Sequence, residues 1–226
     1  MKLKLELSIN NNLYIRDPEQ TKLGQDIVRN SIILIHELGF ENFTFKKIAT
    51  EIKSNEQSIY RYFESKHQLM KYLFSWYWGW LEFRLEYHTH VLEKPEDKLR
   101  MLLKVLSEAA TYDPNFAHID EVRLAEIVAR VSVISYVSDF IPEKNINDTL
   151  DSFKGLCNKI QNIIKEFEPK YQYPVALSYT LLRVSHEHIF ISKYLSDDIS
   201  NKSSNETYDF LKSLVFSTVG LSTTEK

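Results

Sequence analysis

The sequence predicts an all-α protein of about nine helices. A small three-helix unit lies near the N-terminus, a larger helical part follows, and a short β-hairpin stands in front of both. Three observations carry that prediction. Only five Gly and six Pro interrupt 226 residues. Apolar residues recur at intervals of three and four along most of the chain, the period of an amphipathic helix. Long alternating runs, the mark of half-buried strands, are few. A chain of this length buries a good core as one large or two small domains. The expected division is 1–20 for an N-terminal arm, 21–65 for the three-helix head and 66–226 for the larger domain.

The arm alternates Leu3, Leu5, Leu7 and Ile9 with Lys2, Lys4, Glu6 and Ser8. Asn10-Asn11-Asn12 tolerates positive φ, Leu13-Tyr14-Ile15-Arg16 reads as a return strand, and Asp17-Pro18 stops it. A disordered arm is the alternative. A lone hairpin is marginal in water, so it needs helices or a partner edge to pack on. With only Lys2, Lys4 and Arg16 as cations, it does not read as a basic arm laid into a groove.

A helix over 21–38 carries Leu23, Ile27, Leu34, Ile35 and Leu38 as its core stripe. Gly39 stands where a left-handed C-cap is wanted. His36 reads as an exposed or capping histidine. Thr44 is an N-cap with Lys47 at the capping-box position, so half of that box is present. Phe45, Ile48, Ala49 and Ile52 then make one apolar face of two turns. Lys53-Ser54 allows only a sharp turn. Asn55 caps a second short helix whose Ile59, Tyr62 and Phe63 face inward, and Ser65 caps a third. Short helix, tight turn, short helix is the geometry that delivers a helix into a DNA major groove.

The residues of that motif suit DNA. Thr44 and the amides beside it can hold a phosphate at a helix N-terminus, with Lys46 on the same short helix. Asn55, Glu56, Gln57 and Ser58 occupy the first turn of the recognition helix. There Gln57 or Asn55 can pair with adenine, and Glu56 can accept from cytosine N4. Tyr60 and Arg61 fit phosphate contacts. Tyr62 fits either a phosphate contact or the small core. Residues 44–71 hold six Lys+Arg against three Asp+Glu. Residues 1–75 carry a formal +2 and the remainder −5, within a whole-chain −3. The sign is right for a DNA-facing end.

The stretch 25–73 resembles the N-terminal domain of TetR-type transcriptional repressors. The resemblance rests on Glu37-Leu38-Gly39-Phe40, the Thr44 cap, Lys47-Ile48-Ala49 and, above all, the run Ser58-Ile59-Tyr60-Arg61-Tyr62-Phe63 followed by Ser65-Lys66. It implies a DNA-binding regulator acting on a palindromic operator as a homodimer, released by a small effector. It makes Lys66 a phosphate-binding lysine and the last two helices a four-helix dimer interface. Lys53 and Ser54 depart from the family, which has Gly and then a small apolar residue. A left-handed Lys53 costs roughly 1 kcal/mol. Glu56 points a negative charge at a polyanion, which predicts modest non-specific affinity.

The helix over 66–91 carries Leu69, Leu73, Trp76, Trp80, Phe83 and Tyr87 as one stripe, and Met70, Tyr77 and Leu81 as a neighbouring one. That width predicts burial on more than one side. Its aromatics read as core, or as a pocket for an apolar or aromatic effector lined by Trp76, Trp80, Phe83 and Tyr87. A helix over 95–110 has Pro at its first turn and buries Leu99, Leu102, Leu103 and Leu106. A largely buried helix over 118–140 includes a strand-prone part from Val131, pairs Glu126 with Arg130, and stops at Ile141-Pro142. The helix over 147–167 turns Leu150, Phe153, Cys157, Ile160, Ile164 and Phe167 inward. The last two helices cover 175–195 and 206–219, with a polar loop over 197–205 between them and a tail from Ser222. In the first, Leu177, Leu181, Val184, His188, Ile191 and Leu195 make a heptad seam. With Phe210 and Leu214 of the second, this seam is the candidate dimer interface; a monomeric core has the same pattern.

The sequence also excludes. One cysteine, Cys157, rules out an internal disulfide and a cysteine-based zinc site, and fits a reducing cytoplasm. No signal peptide is expected, and the most apolar run, 72–81, is too short to span a bilayer. GxSxG, HExxH, P-loop and dinucleotide-binding glycine patterns are absent, so no enzyme and no cofactor are expected. His88/His90 and His186/His188 are i,i+2 pairs on different helix faces and make poor chelates. The competing readings are a helical ligand carrier or enzyme with a vestigial helix-turn-helix, and a protein-interaction regulator working through the hairpin.

Overall fold

The computed structural model describes residues 7, 9–113, 116, 118–131, 146–194 and 204–220, with backbone alone at 146–149, 190–194, 204 and 220. The first expected strand, the strand-prone stretch after Val131, the stop at Ile141-Pro142, the Ile191 side chain, Leu195, most of the loop over 197–205 and the tail lie outside the described residues and side chains. Nine α-helices occur among the described residues: α1 (Lys22–Leu38), α2 (Phe45–Glu51), α3 (Glu56–Tyr60), α4 (Lys66–Thr89), α5 (Pro95–Ser107), α6 (Glu121–Arg130), α7 (Ile146–Phe167), α8 (Pro174–Tyr194) and α9 (Ser204–Gly220). The fold is all-α, as the spacing predicts.

The hairpin is the correction. Asn11–Leu13 and Pro18–Gln20 are 3-10 turns, and no strand occurs among the described residues. Local hydrogen bonds compete with the ladder there. Asn10 Oδ1 accepts from the Asn12 N–H at 3.0 Å, and Asp17 Oδ1 accepts from the Glu19 N–H at 2.9 Å. Both are Asx-type turns that hold the backbone away from extended pairing.

Contacts divide the chain into two compact units, Met1–Tyr77 with Ala110–Ser152, and Trp78–Ala109 with Phe153–Lys226. In the first, α1 is the central element. Thr21 caps it through the Gly24 N–H, and Ile27, Val28, Ile32, Leu34 and Ile35 are buried. Gly24 has a packing reason. A Cβ there would fall 2.3 Å from the Pro18 carbonyl oxygen, so the 3-10 turn lies directly on the helix. Gly39 ends α1 at φ 78°, a conformation that disfavours side chains. His36, expected to be exposed or capping, is instead half-buried and paired. Its Nε2 lies 2.7 Å from Glu126 of α6, while Arg130 reaches both that carboxylate and the His36 carbonyl.

At the start of α6, Asp120 caps through the Arg123 N–H. Glu121 beside it is fully buried. One of its carboxylate oxygens accepts from the Asp113 N–H at 3.3 Å and the other has no partner. Burial pushes this carboxyl up to about 7.

In the second unit, α5 begins with Pro95, Glu96 and Asp97, which suit the positive end of a helix dipole. It buries Leu99, Leu102, Leu103, Val105 and Leu106. Lys98 pairs with Glu166 of α7 at 2.6 Å, and the Arg100 guanidinium lies 4.9 Å over the Phe216 ring of α9. Leu156, Ile160 and Ile164 of α7, Leu181 and Leu182 of α8, and Leu211, Val215 and Val219 of α9 complete the core. His186 is buried against the Trp78 ring at 4.8 Å and donates from Nδ1 to the Leu182 carbonyl at 2.7 Å. Burial lowers its imidazole to about 4. Cys157 is half-buried, and burial raises its thiol to about 11, so it is held as the unreactive thiol.

Candidate nucleic-acid interface

The head is built from two helices of seven and five residues. Helices so short are marginal alone, so their ends must be held by caps. Thr44 accepts the Lys47 N–H at 3.4 Å, and the Lys47 ammonium donates to the Asn42 carbonyl at 2.8 Å. Asn55 Oδ1 accepts both the Ser58 N–H at 2.8 Å and the Ser58 hydroxyl at 2.9 Å. Between them, the Ser54 N–H donates to the Ala49 carbonyl at 2.9 Å and the Lys53 N–H to the Thr50 carbonyl at 3.2 Å. That pair of bonds is a Schellman motif, which needs a left-handed residue after the helix. Lys53 supplies it at φ 52°, the position where the sequence anticipated strain.

The outer surface follows from these ends. Phe43, Phe45, Ile48, Ile59 and Phe63 are buried, while Thr44, Lys46, Asn55, Gln57, Tyr60 and Arg61 are exposed and Glu56 and Ser58 half-exposed. The Tyr60 ring stands edge-on to Phe45 at 5.0 Å with nearly half its surface free. Its hydroxyl reaches Glu56 at 3.5 Å, which turns the carboxylate toward the tyrosine. The structure thus gathers the expected first-turn residues and Tyr60-Arg61 onto α3 and the turn after it.

Two residues have further employment. Lys66 donates to the carbonyls of Phe40 and Glu41 at 3.1 and 3.2 Å and lies 4.7 Å over the Phe40 ring, so it ties the start of α4 to the α1–α2 loop. Burial and then the Lys66 charge lower the neighbouring His67 imidazole. Tyr62 belongs to the core. It is 2% exposed, and its hydroxyl meets Thr21 Oγ1 at 2.7 Å. Ser65 caps α4 through the Gln68 N–H at 3.2 Å, and Gln68 Oε1 accepts from the Glu64 N–H at 2.7 Å.

The expected effector residues differ in exposure and are divided between the two units. Trp76, in the first unit, is buried edge-on to Phe116 at 5.2 Å. In the second, Trp80 is fully buried beneath the Arg84 guanidinium at 5.0 Å, and Phe83 stacks on Tyr87, which is 63% exposed. Of the candidate dimer residues, Leu177 and Leu181 are buried by their own chain. Val184, His188 and Leu214 are half-buried, and Phe210 is 45% exposed. His188 stacks on Phe210 at 5.1 Å, whereas His186 faces Trp78, so neighbouring imidazoles serve different contacts. Sequence reasoning missed the exposed apolar pair Val175 and Tyr179, one turn apart on α8. It also missed the docking of residues 9–20 on the head. The Asx turns at Asn10 and Asp17-Pro18 were the available signal for the latter.

An all-α fold with a capped, outward-facing helix-turn-helix is the architecture found in helix-turn-helix transcription regulators. Residues 27–73 match the family model described as bacterial regulatory proteins, tetR family. Over those residues the head is similar to the DNA-binding domain of the TetR family. Solved structures share the fold across most of its length. A TetR-family regulatory protein from Rhodococcus RHA1 has a TM-score of 0.66 at 12% identity, covering 88% of this chain and 98% of that one. The regulator FadR from Bacillus subtilis, in complex with stearoyl-CoA, has 0.63 at 17%, covering 84% and 96%. AibR, in complex with isovaleryl coenzyme A and operator DNA, has 0.62 at 12%, covering 85% and 96%. No curated protein matches the chain. No described helix is long and apolar enough to cross a membrane.

Proposed function

We propose that this protein is a ligand-responsive transcriptional repressor that binds a palindromic operator as a homodimer. The observation that carries the reading is the α2–α3 motif. Its caps and Schellman turn fix α3 while leaving Asn55, Gln57, Tyr60 and Arg61 facing outward. Gln57 and Asn55 read adenine edges and Glu56 accepts from cytosine N4, with Ser58 beside them. Thr44, Lys46, Tyr60 and Arg61 contact phosphate. Lys66 is proposed as a further phosphate contact, and it also fixes α4 to the α1–α2 loop. Residues 21–65 form the reading head and 66–226 the effector and dimerisation part.

The effector is a small molecule with an apolar portion. AibR with isovaleryl coenzyme A and FadR with stearoyl-CoA support an acyl thioester as the first class to try. Of the four expected residues, Trp80, Phe83 and Tyr87 of the second unit are the ones proposed to border its site. Binding it releases DNA only if it favours one separation of the two heads over the other. The dimer uses α8 and α9. Phe210, Val175 and Tyr179 are exposed apolar side chains proposed to meet a partner, together with the half-buried Val184, His188 and Leu214 and the buried Leu177 and Leu181.

Binding of the full chain to mixed-sequence duplex DNA across a salt series tests the reading. The expected result is affinity that falls steeply with salt, followed by recovery of a palindrome when bound fragments are selected from random duplexes. Absence of duplex binding at low salt would contradict it.

A further inference from the structure

Residues 9–20 precede the family match, yet they are fitted to the head like an internal part. Ile9, Leu13 and Pro18 are buried. The Ile15 N–H donates to the Tyr62 carbonyl at 2.8 Å, and Gln68 Nε2 donates to the Asn12 carbonyl at 3.3 Å. Glu19 is held twice: it accepts from the Tyr72 hydroxyl at 2.9 Å and lies 2.8 Å from His118 Nε2. Burial first, then the Glu19 carboxylate, keeps the Tyr72 phenol protonated well above its ordinary range, so that bond persists across working pH. The Pro18 carbonyl against Gly24 closes the fit.

Arg16 is the one cation of this segment. Its guanidinium lies 5.5 Å over the Tyr62 ring, and the residue is exposed. Its acidic neighbour is already engaged, since Asp17 caps the Glu19 N–H at 2.9 Å and accepts from Gln20 Nε2 at 3.0 Å. Ile15 bonds the residue that directly follows Tyr60-Arg61, so the backbone of Arg16 runs alongside the end of the recognition helix. A guanidinium resting on an aromatic face keeps its edge N–H groups directed outward, in the fork that suits a phosphate.

We infer that Arg16 is an additional phosphate-contacting residue, held on Tyr62 so that the DNA footprint extends past the helix-turn-helix onto the adjoining backbone. The docked segment is then a scaffold for one cation. This inference rests on the DNA-binding reading and adds to it a contact outside the matched region. The rival is purely structural: Arg16 packs on Tyr62 and does nothing else.

The test uses the full chain as wild type, Arg16→Ala and Arg16→Lys. Affinity for a mixed-sequence duplex is measured across a salt series, with the thermal midpoint of each protein alongside. Arg16→Ala is expected to lower the slope of log affinity against log salt by about 1 and to weaken low-salt binding on the order of fivefold, for all sequences alike. Its thermal midpoint should stay at the wild-type value, and Arg16→Lys should keep most of the slope. A wild-type slope in Arg16→Ala overturns the inference while leaving the DNA-binding reading intact. So does a slope lost only together with the thermal midpoint and not retained by lysine. A wild type with no salt-dependent binding removes the reading and the inference with it.

Discussion

The helix-turn-helix and the helix that leaves it dispose of their side chains in opposite ways. On α3 and its flanks, Asn55, Gln57, Tyr60 and Arg61 point outward and Ile59 alone of the helix is buried. On α4, every residue from Leu69 to Leu81 is buried except Lys71 and Gly79. A side chain kept free for another molecule holds little of its own fold together. The head therefore depends on caps, one Schellman turn and a handful of aromatic and aliphatic residues. The α4 aromatics from Tyr72 to Trp80 are all buried.

Trp80 is the place to break that contrast. Trp80→Ala removes a fully buried indole and should cost about 3–5 kcal/mol in denaturant unfolding. Gln57→Ala, on the exposed face, should stay within about 0.5 kcal/mol of wild type. A Trp80→Ala cost under about 1 kcal/mol would mean that the indole is not committed to the core.

Proton linkage sharpens the comparison, because the two units bury ionisable groups of opposite charge type. The Glu121 carboxyl in the first unit is raised to about 7 by burial. Its contribution is full below the ordinary carboxylate range and is lost as pH rises to about 7. His186 in the second is lowered to about 4. Its contribution is full above the ordinary imidazole value and is lost as pH falls toward about 4. Glu121→Gln should therefore raise stability at pH 8 by about 2–3 kcal/mol and change little at pH 4. Equal effects at both values would place the charged form of Glu121 in a satisfied site.

The smallest expected effect is at the turn. Lys53→Gly relieves a left-handed lysine and should stabilise by about 1 kcal/mol or somewhat less, since glycine also loosens the unfolded chain. A loss of stability would show that the lysine side chain has a packing role.

Local chemistry explains what the sequence made legible. The caps at Thr44, Asn55 and Ser65 and the strained Lys53 each depend on residues a few positions apart, and the structure has them where the spacing put them. The return strand is absent because two Asx turns outweigh alternation there, and the docking on Tyr62 and Gln68 depends on partners about 50 positions away. His36 was misread for a similar reason: its partner Glu126 is 90 residues distant. The heptad seam on α8 was legible as a buried face, but periodicity does not say whose surface covers it. Leu177 and Leu181 are covered by their own chain, and among the described residues of α8 and α9 the exposed large apolar ones are Val175, Tyr179 and Phe210.

The central claim is that α3 reads bases while its flanks hold phosphate. Relative affinities of wild type, Gln57→Ala and Tyr60→Ala for a selected duplex and for its single-base variants test it directly. Gln57→Ala should relax preference at one position per half-site by about 1–3 kcal/mol, while Tyr60→Ala should weaken every duplex alike. A uniform loss in both variants, with the base preference of the wild type retained, would contradict it.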